Sequence, residues 1–131
     1  MVRPHDVDRF AWDNAKSEAR EAMIAAARSP NGTLTYNELA RQITSLRLEA
    51  DSVALRQLLS EISVAEDVAG RGMLSVVVVH QGEDRLPGHG FFTLARGLGR
   101  DTNDQQKCWA VELGKVRGVW REAQSQTQKN S

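Results

Sequence analysis

Apolar residues recur at helical spacing in the first part of the chain and predict a long amphipathic helix over residues 6 to 28. The apolar stripe consists of Val7, Phe10, Ala11, Ala15, Ala19, Ala22, Met23 and Ala26. Charged side chains lie mainly off this stripe, and its many alanines allow a second helix to approach closely. The turn sequence Ser29-Pro30-Asn31-Gly32 then predicts the end of the helix.

Capping residues predict two further helices. Thr35 and Glu38 have the spacing of a capping box, so a second helix should run through Leu39, Ala40 and Ile43. Ser52 predicts the start of a third helix. Its inward positions are Leu55, Leu58, Leu59 and Ile62, and its outward positions are Arg56, Gln57, Ser60 and Glu61. The segment Ser63-Val64-Ala65-Glu66 repeats the capping-box pattern and predicts a further turn or a new short helix before Gly70.

The second half of the chain combines one predicted strand with two predicted helices. Residues 73–79 form a nearly continuous apolar run, which is typical of a strand buried on both faces. Arg85 and Leu86 are expected to pair back before Pro87 ends the ladder. A short helix is predicted over residues 91–98, ending at Gly99. A longer one over residues 104–122 follows from the spacing of Trp109, Leu113, Val116 and Trp120.

Composition favours one domain. The chain has 131 residues, of which 40% are apolar, and a chain of this length buries about two-thirds of its unfolded surface. We predict a single α+β domain over residues 1–123, mostly helical, followed by a polar, disordered tail over residues 124–131. The single cysteine, Cys108, excludes an internal disulfide and is typical of a reducing compartment, here the cytoplasm. No apolar run approaches the ~20 residues that span a bilayer, so no membrane partner is predicted.

The segment Gly32-Thr33-Leu34-Thr35-Tyr36-Asn37-Glu38-Leu39-Ala40 leads into the predicted third helix and then into a strand that begins with glycine and arginine. This arrangement, over about residues 32–79, resembles the winged-helix domain of alkyltransferase-like proteins and DNA alkyltransferases. In that family a short strand precedes a T-Y-x-x-[IL]-A helix, and a second helix enters the DNA minor groove. The resemblance implies that Arg56 holds DNA while a nucleotide is flipped out.

The chain departs from the family's pattern at the strand, so alkyl transfer is not predicted. The family's enzymes carry their nucleophile in a Pro-Cys-His-Arg motif at the strand, and its non-enzymatic members keep Pro-x-His-Arg there. This chain has Gly72-Met73-Leu74-Ser75 in that place. Cys108 belongs to the predicted C-terminal helix, with no such motif around it, and does not replace the missing cysteine.

Together these observations predict a winged-helix-like unit over residues 32–86, clasped by long N- and C-terminal helices. We predict a non-enzymatic nucleic-acid-binding module, with duplex DNA as its ligand and no cofactor. The predicted binding residues are Tyr36, Arg41, Arg47, Arg56, Gln57, Arg71 and Arg85. The chain has 17 basic and 17 acidic residues, however, and this neutral balance argues against strong phosphate binding. A solvated surface of mixed charge explains Arg41, Arg47 and Arg56 equally well.

Two other function classes stay open. Zero net charge favours a protein–protein adaptor or inhibitor. A small metal-dependent hydrolase or nuclease would use His80, Glu83 and His89, although their spacing matches no zinc pattern, so no metal is predicted. The two histidines are expected to face different surroundings. The segment Gly88-His89-Gly90 precedes a predicted helix and could offer free backbone amides to an anion, with Arg71 and Arg85 adding positive charge if they pair across the turn. Alternatively, the glycines simply allow a sharp reversal from strand to helix. The aromatic side chains of Phe10, Trp12, Trp109 and Trp120 are predicted to pack in the core.

Overall fold

Five α-helices and two strands of two residues each follow one another in the computed structural model, which describes residues 8–82 and 85–129, with side chains up to residue 123. In chain order the elements are α1 (Arg9–Arg28), β1 (Leu34–Thr35), α2 (Tyr36–Gln42), α3 (Val53–Val68), β2 (Val78–Val79), α4 (His89–Gly97) and α5 (Gln105–Lys129). A 3-10 turn (Leu74–Val77) directly precedes β2. The prediction of a mostly helical α+β chain is confirmed. Within the described ranges, none of the helices is both long and apolar enough to cross a bilayer.

The α1 helix packs its alanine-rich face into the core. Ala15, Ala19 and Met23 are fully buried, as the stripe predicts, whereas Val7 lies outside the described residues. The prediction that Phe10 packs in the core is wrong, because this side chain stands in the first turn of α1 and is 75% exposed. Trp12 turns inward instead, and its indole N–H donates to Glu61 Oε1 at 3.0 Å.

The two capping residues that begin α2 and α3 act as predicted. Thr35 Oγ1 accepts the Glu38 N–H at 3.1 Å, and the Glu38 carboxylate accepts the Thr35 N–H at 2.9 Å. Ser52 Oγ accepts the Leu55 N–H at 3.1 Å. The four predicted inward positions of α3 are all buried.

Of the two alternatives predicted at Ser63, the further helical turn is confirmed and the new short helix is wrong, because α3 continues without a break to Val68. Both residues that suggested a cap are used in tertiary contacts. Ser63 is fully buried, donates to Ser75 Oγ at 2.6 Å and accepts the Ser75 N–H. Glu66 is buried between the guanidinium groups of Arg20 and Arg71.

The apolar run over residues 73–79 is buried as predicted, but most of it is not a strand. Residues 74–77 form the 3-10 turn, and β2 pairs in parallel with β1, placing Leu34 opposite Val78. Side chains satisfy the backbone groups that a longer strand would have paired. Glu112 accepts the Met73 N–H at 2.8 Å, and the Trp109 indole N–H donates to the carbonyl of Val76 at 3.0 Å.

After β2 the chain turns back toward the cavity described below. The predicted return pairing is present as one hydrogen bond, from the His80 N–H to the Leu86 carbonyl at 2.9 Å, and residues 85 and 86 form no strand. The α4 helix begins at His89, two residues before the predicted start, because Gly88 serves as its N-cap. Gly99, with φ of +92°, ends it as predicted.

The α5 helix closes the fold against α1. Val116 is fully buried, and Trp109, Leu113 and Trp120 pack partly buried against the core, as their spacing predicts. The helix runs to Lys129 and so takes in residues 124–129, where a disordered tail was expected; residues 130 and 131 lie outside the described residues. A buried carboxylate on this helix, Glu112, escaped the sequence pattern.

Candidate functional site

An open cavity of about 760 Å³ lies where the first turns of α2, α3 and α4 meet the end of β2. Its walls include Tyr36, Arg56, Ser60, His80, His89 and Phe91. This volume is in the usual range for sites that hold small molecules or single groups of a larger ligand. Aromatic rings, a guanidinium group and hydroxyls therefore face one shared space, which is what recognition of a planar polar group requires.

The inner wall of the cavity is built on Tyr36. Its hydroxyl oxygen accepts the Gly88 N–H at 2.8 Å, and its ring centroid lies 4.8 Å from that of His80. Burial raises the pKa of the Tyr36 phenol, while the Gly88 hydrogen bond and the charge of Arg56 lower it in part. A Cβ at Gly88 would lie 3.2 Å from His80 Nε2 and 3.3 Å from the Tyr36 hydroxyl. Glycine at this position therefore lets the backbone approach both rings.

Arg56 stands in the first turn of α3 with its side chain exposed. One terminal nitrogen, Nη1, donates to the Asp51 carbonyl at 3.0 Å. Among the described residues, no ion pair joins Arg56 to a carboxylate, although Glu49 and Asp51 also line the cavity. Its positive charge is therefore held beside the cavity without a direct carboxylate partner.

His80 and His89 both line this cavity, and their direct contacts are with different residues. The turn between β2 and α4 returns the chain far enough to bring both imidazoles to one space. His80 stacks on Tyr36, whereas His89 Nε2 lies 3.4 Å from Thr93 Oγ1. Glu83 lies outside the described residues. In the described part of the chain, no group of three or more potential ligands is arranged to hold a metal ion.

We expect Zn²⁺, Mn²⁺ and Mg²⁺ to leave the melting temperature of the protein unchanged. A metal that bound the folded state through the two imidazoles would stabilise it by mass action. The measurement is a thermal melt with and without each ion, run beside a His80→Ala, His89→Ala double variant. A rise in melting temperature that the double variant loses would establish a metal site and favour the hydrolase hypothesis.

A second, shallower groove of about 700 Å³ adjoins the cavity and shares Asn37, Glu49, Ala50 and Gln81 with it. Arg41 and Arg47 line this groove, as expected for cations placed between the second and third helices. Arg47 is 96% exposed and pairs with Glu49 at 3.9 Å. Such an exposed pair is weak in water, so both arginines are accessible to a ligand.

The other three predicted binding residues lie outside this cavity and groove. Gln57 is exposed, and its amide donates to Glu61 Oε2 at 3.0 Å on the same helix. Arg85 is exposed beside α2. The pKa of Glu38 on this helix is lowered mainly by a hydrogen bond from the Thr35 N–H, and the charge of Arg85 lowers it further. Arg71 is directed toward α5, with its guanidinium carbon 5.9 Å from the Trp120 ring. The two arginines expected to pair across the turn therefore lie beside different helices.

Ser60 and Asn37 are among the lining residues that sequence reasoning missed. Ser60 was assigned to the outward face of α3, yet it is half-buried and lines the cavity. Asn37 was treated only as the interior of a capping box, and it lines both the cavity and the groove. Neither carries a sequence signal, because only the turn after β2 brings a second wall opposite them.

No protein-family model, curated protein or solved structure matches the chain. The likeness to the alkyltransferase-like winged helix therefore stays a prediction from the sequence.

Proposed function

We propose that the protein is a non-enzymatic DNA-binding protein, in which α3 contacts the duplex and the cavity receives a nucleotide turned out of the base stack. The position of Arg56 carries this proposal, because its guanidinium group lies at the edge of an open cavity and has no direct carboxylate partner among the described residues. The proposal also uses the resemblance stated from the sequence: β1, α2 and α3 follow one another in the order that it implies, while β2 pairs in parallel with β1.

Arg56 has the properties of a side chain that contacts a phosphate or fills the space left by a displaced base. Arginine keeps its charge at any physiological pH, and its planar group presents several N–H donors in a fixed arrangement. The single hydrogen bond to Asp51 is made to a main-chain carbonyl, which orients the side chain and leaves its charge intact. Removal of this group should therefore weaken DNA binding without disturbing the core.

The cavity suits an unpaired base. Enzymes and binding proteins that extrude a nucleotide hold it by stacking on aromatic rings and by hydrogen bonds to its edge. Tyr36, His80 and Phe91 supply rings, and the hydroxyl of Ser60 supplies a polar contact. These groups come from three helices and the turn after β2, so the folded domain holds them in place before any ligand arrives.

The absence of a reactive thiol supports binding over alkyl transfer. The single cysteine, Cys108, lies buried on α5 and does not line the cavity. Burial raises the pKa of its thiol, and the charge of Glu112 raises it further. Since the thiolate is the nucleophilic form, Cys108 is poorly suited to accept an alkyl group.

We expect Arg56→Ala to weaken binding to duplex DNA about tenfold or more, which is the usual scale for losing a charge-assisted hydrogen bond. The loss should be greater for a duplex with one unpaired base than for a fully paired one. The measurement is fluorescence anisotropy at low and moderate salt. Arg9→Ala is the matched control, because it removes the same charge from an exposed position on α1.

The proposal fails if wild-type protein shows no binding to either duplex at low salt. It also fails if Arg56→Ala and Arg9→Ala bind both duplexes equally well. Thermal melts of both variants should match that of the wild type, since both side chains are exposed.

A protein-adaptor function has one observation in its favour, an apolar stripe on the outer face of α3. Val53, Val64 and Val68 are 64%, 37% and 83% exposed. Their separations of 11 and 4 residues place them on one side of the helix. If the protein does not bind DNA at low salt, this face of α3 becomes a candidate protein-binding surface.

A further inference from the structure

Three guanidinium groups surround the half-buried indole of Trp120 on the side of the molecule formed by α1 and α5. The guanidinium carbons of Arg20, Arg28 and Arg71 lie 5.4, 5.7 and 5.9 Å from the ring centroid. These four residues are here called the Trp120 cluster. Contacts of this kind between a cation and an aromatic face are attractive, so the ring holds the three groups in place.

Most of the arginine donors in the Trp120 cluster have no acceptor in the part of the chain that the structure describes. Within the described residues, each of these arginines donates a hydrogen bond only from Nε. Arg20 and Arg71 donate to the Glu66 carboxylate, and Arg28 donates to the Trp120 carbonyl. A guanidinium group has five N–H donors, and four of them belong to the terminal nitrogens. These terminal donors are available to an incoming anion, and the side chains of Arg20 and Arg71 are 36% and 39% exposed.

Two more arginines on α5 extend the positive charge. Arg117 Nη2 and Arg121 Nη2 donate to the Ser29 carbonyl at 2.9 and 3.3 Å. A carbonyl satisfies a donor but leaves the positive charge uncompensated. Five arginines therefore face this region. In the described part of the chain, the only carboxylate that pairs with any of them is that of buried Glu66. Glu21 and Glu122 are exposed on the same two helices, and no ion pair of the described residues includes them.

The chain therefore has a locally cationic surface although its net charge is zero. An uneven charge distribution attracts ligands through its local field, whatever the total. Protein-binding interfaces usually bury aromatic side chains and arginines at their centre. Here the central aromatic ring already contacts guanidinium groups, and their outward donors are what a ligand meets.

We propose that the Trp120 cluster, together with Arg117 and Arg121, is a second DNA contact that binds backbone phosphates independently of the bases. Phosphate oxygens match the planar, forked donors of arginine, and such contacts supply affinity without reading sequence. The choice of DNA as the phosphate-bearing partner rests on the proposed function. The contact itself is separate from the cavity, since Arg56 and Glu66 are about 15 Å apart along the axis of α3.

The test uses an Arg28→Gln, Arg121→Gln double variant. Both side chains bond only to main-chain carbonyls, so the variant leaves buried Glu66 with both of its partners. The matched control is Arg9→Gln, Arg96→Gln, which removes the same charge from exposed positions outside the cluster. Binding to a fully paired duplex is measured by anisotropy over a series of NaCl concentrations.

We expect the double variant to lower the slope of log affinity against log salt concentration by about 2, because each lost phosphate contact lowers it by roughly 1. The control variant should keep the wild-type slope. An unchanged slope in the double variant overturns the inference. The same is true if the cluster variant loses binding to polyglutamate but not to DNA, which would assign the surface to an acidic protein.

The two proposals fail in different ways. If Arg56→Ala binds like the wild type while the double variant loses slope, the cavity proposal fails and the phosphate contact stands. If only Arg56→Ala loses affinity, the phosphate contact fails. A melt of the double variant checks its fold, and Arg121→Gln alone, with an expected change of about 1 in slope, replaces it if that fold is lost.

Discussion

Glu112→Ala is expected to lower the free energy of unfolding by about 3–5 kcal/mol, the usual cost of breaking a buried ion pair from one side. Glu112 is 4% exposed and accepts the Met73 N–H at 2.8 Å. It also accepts two hydrogen bonds from Arg100, from Nε and Nη2, both at 3.1 Å. Alanine would leave a buried backbone donor without a partner and a largely buried guanidinium group with only Asp67 as its carboxylate partner.

Urea unfolding of Glu112→Ala and Glu112→Gln, beside wild type, would measure this effect. The glutamine variant keeps an oxygen that can accept the Met73 N–H, so it should lose less stability than the alanine variant. Glu122→Ala is the matched control on the same helix, where the side chain is exposed and a change within about 0.5 kcal/mol is expected. Equal stability of Glu112→Ala and Glu122→Ala would contradict the structure of this ion-pair network.

Gly72→Ala is expected to destabilise the fold more than Gly70→Ala, although both glycines have positive φ, +88° and +84°. An added Cβ costs roughly 1–2 kcal/mol in that backbone conformation. At Gly70 nothing lies within 4 Å of the new atom, whereas at Gly72 it would lie 2.9 Å from Glu112 Oε2 and 3.1 Å from Val116 Cγ2. Overpacking adds about 1–3 kcal/mol at the second site.

The neighbours of Gly72 are poorly able to move. Glu112 is held by Arg100 and the Met73 N–H, and Val116 is fully buried. Chemical denaturation of the two variants, measured under one buffer condition, gives the difference directly, and the shared backbone cost cancels. Equal losses for the two variants would show that the α5 side chains yield to the added methyl group.

Local sequence patterns predict helix starts only where the side chains remain free to cap. Thr35 and Ser63 each stand three residues before a glutamate, and the pattern alone treats them alike. Thr35 caps α2, whereas Ser63 is fully buried and bonded to Ser75. The difference arises from a contact made 12 residues away, which no local pattern contains.

The same limit explains the segment before β2 and part of the cavity. An apolar run predicts burial, and residues 73–79 are buried, but its backbone shape depends on Glu112 and Trp109 from α5. In the cavity, Tyr36 and Arg56 could be selected from the sequence because each lies in a recognisable helical motif. The approach of His80 and His89 to them could not, since it depends on the course of the turn after β2.

The contacts between the two ends of the chain also bear on how the protein folds. Arg117 donates to carbonyls at the end of α1, across 88 residues of sequence to Ser29. Contacts of such long range slow folding, because the chain must close a large loop before it gains any stabilisation. During synthesis, the carbonyls that end α1 lack these arginine partners until α5 has left the ribosome. Completion of the native domain therefore comes late in its synthesis and waits for the arrival of α5.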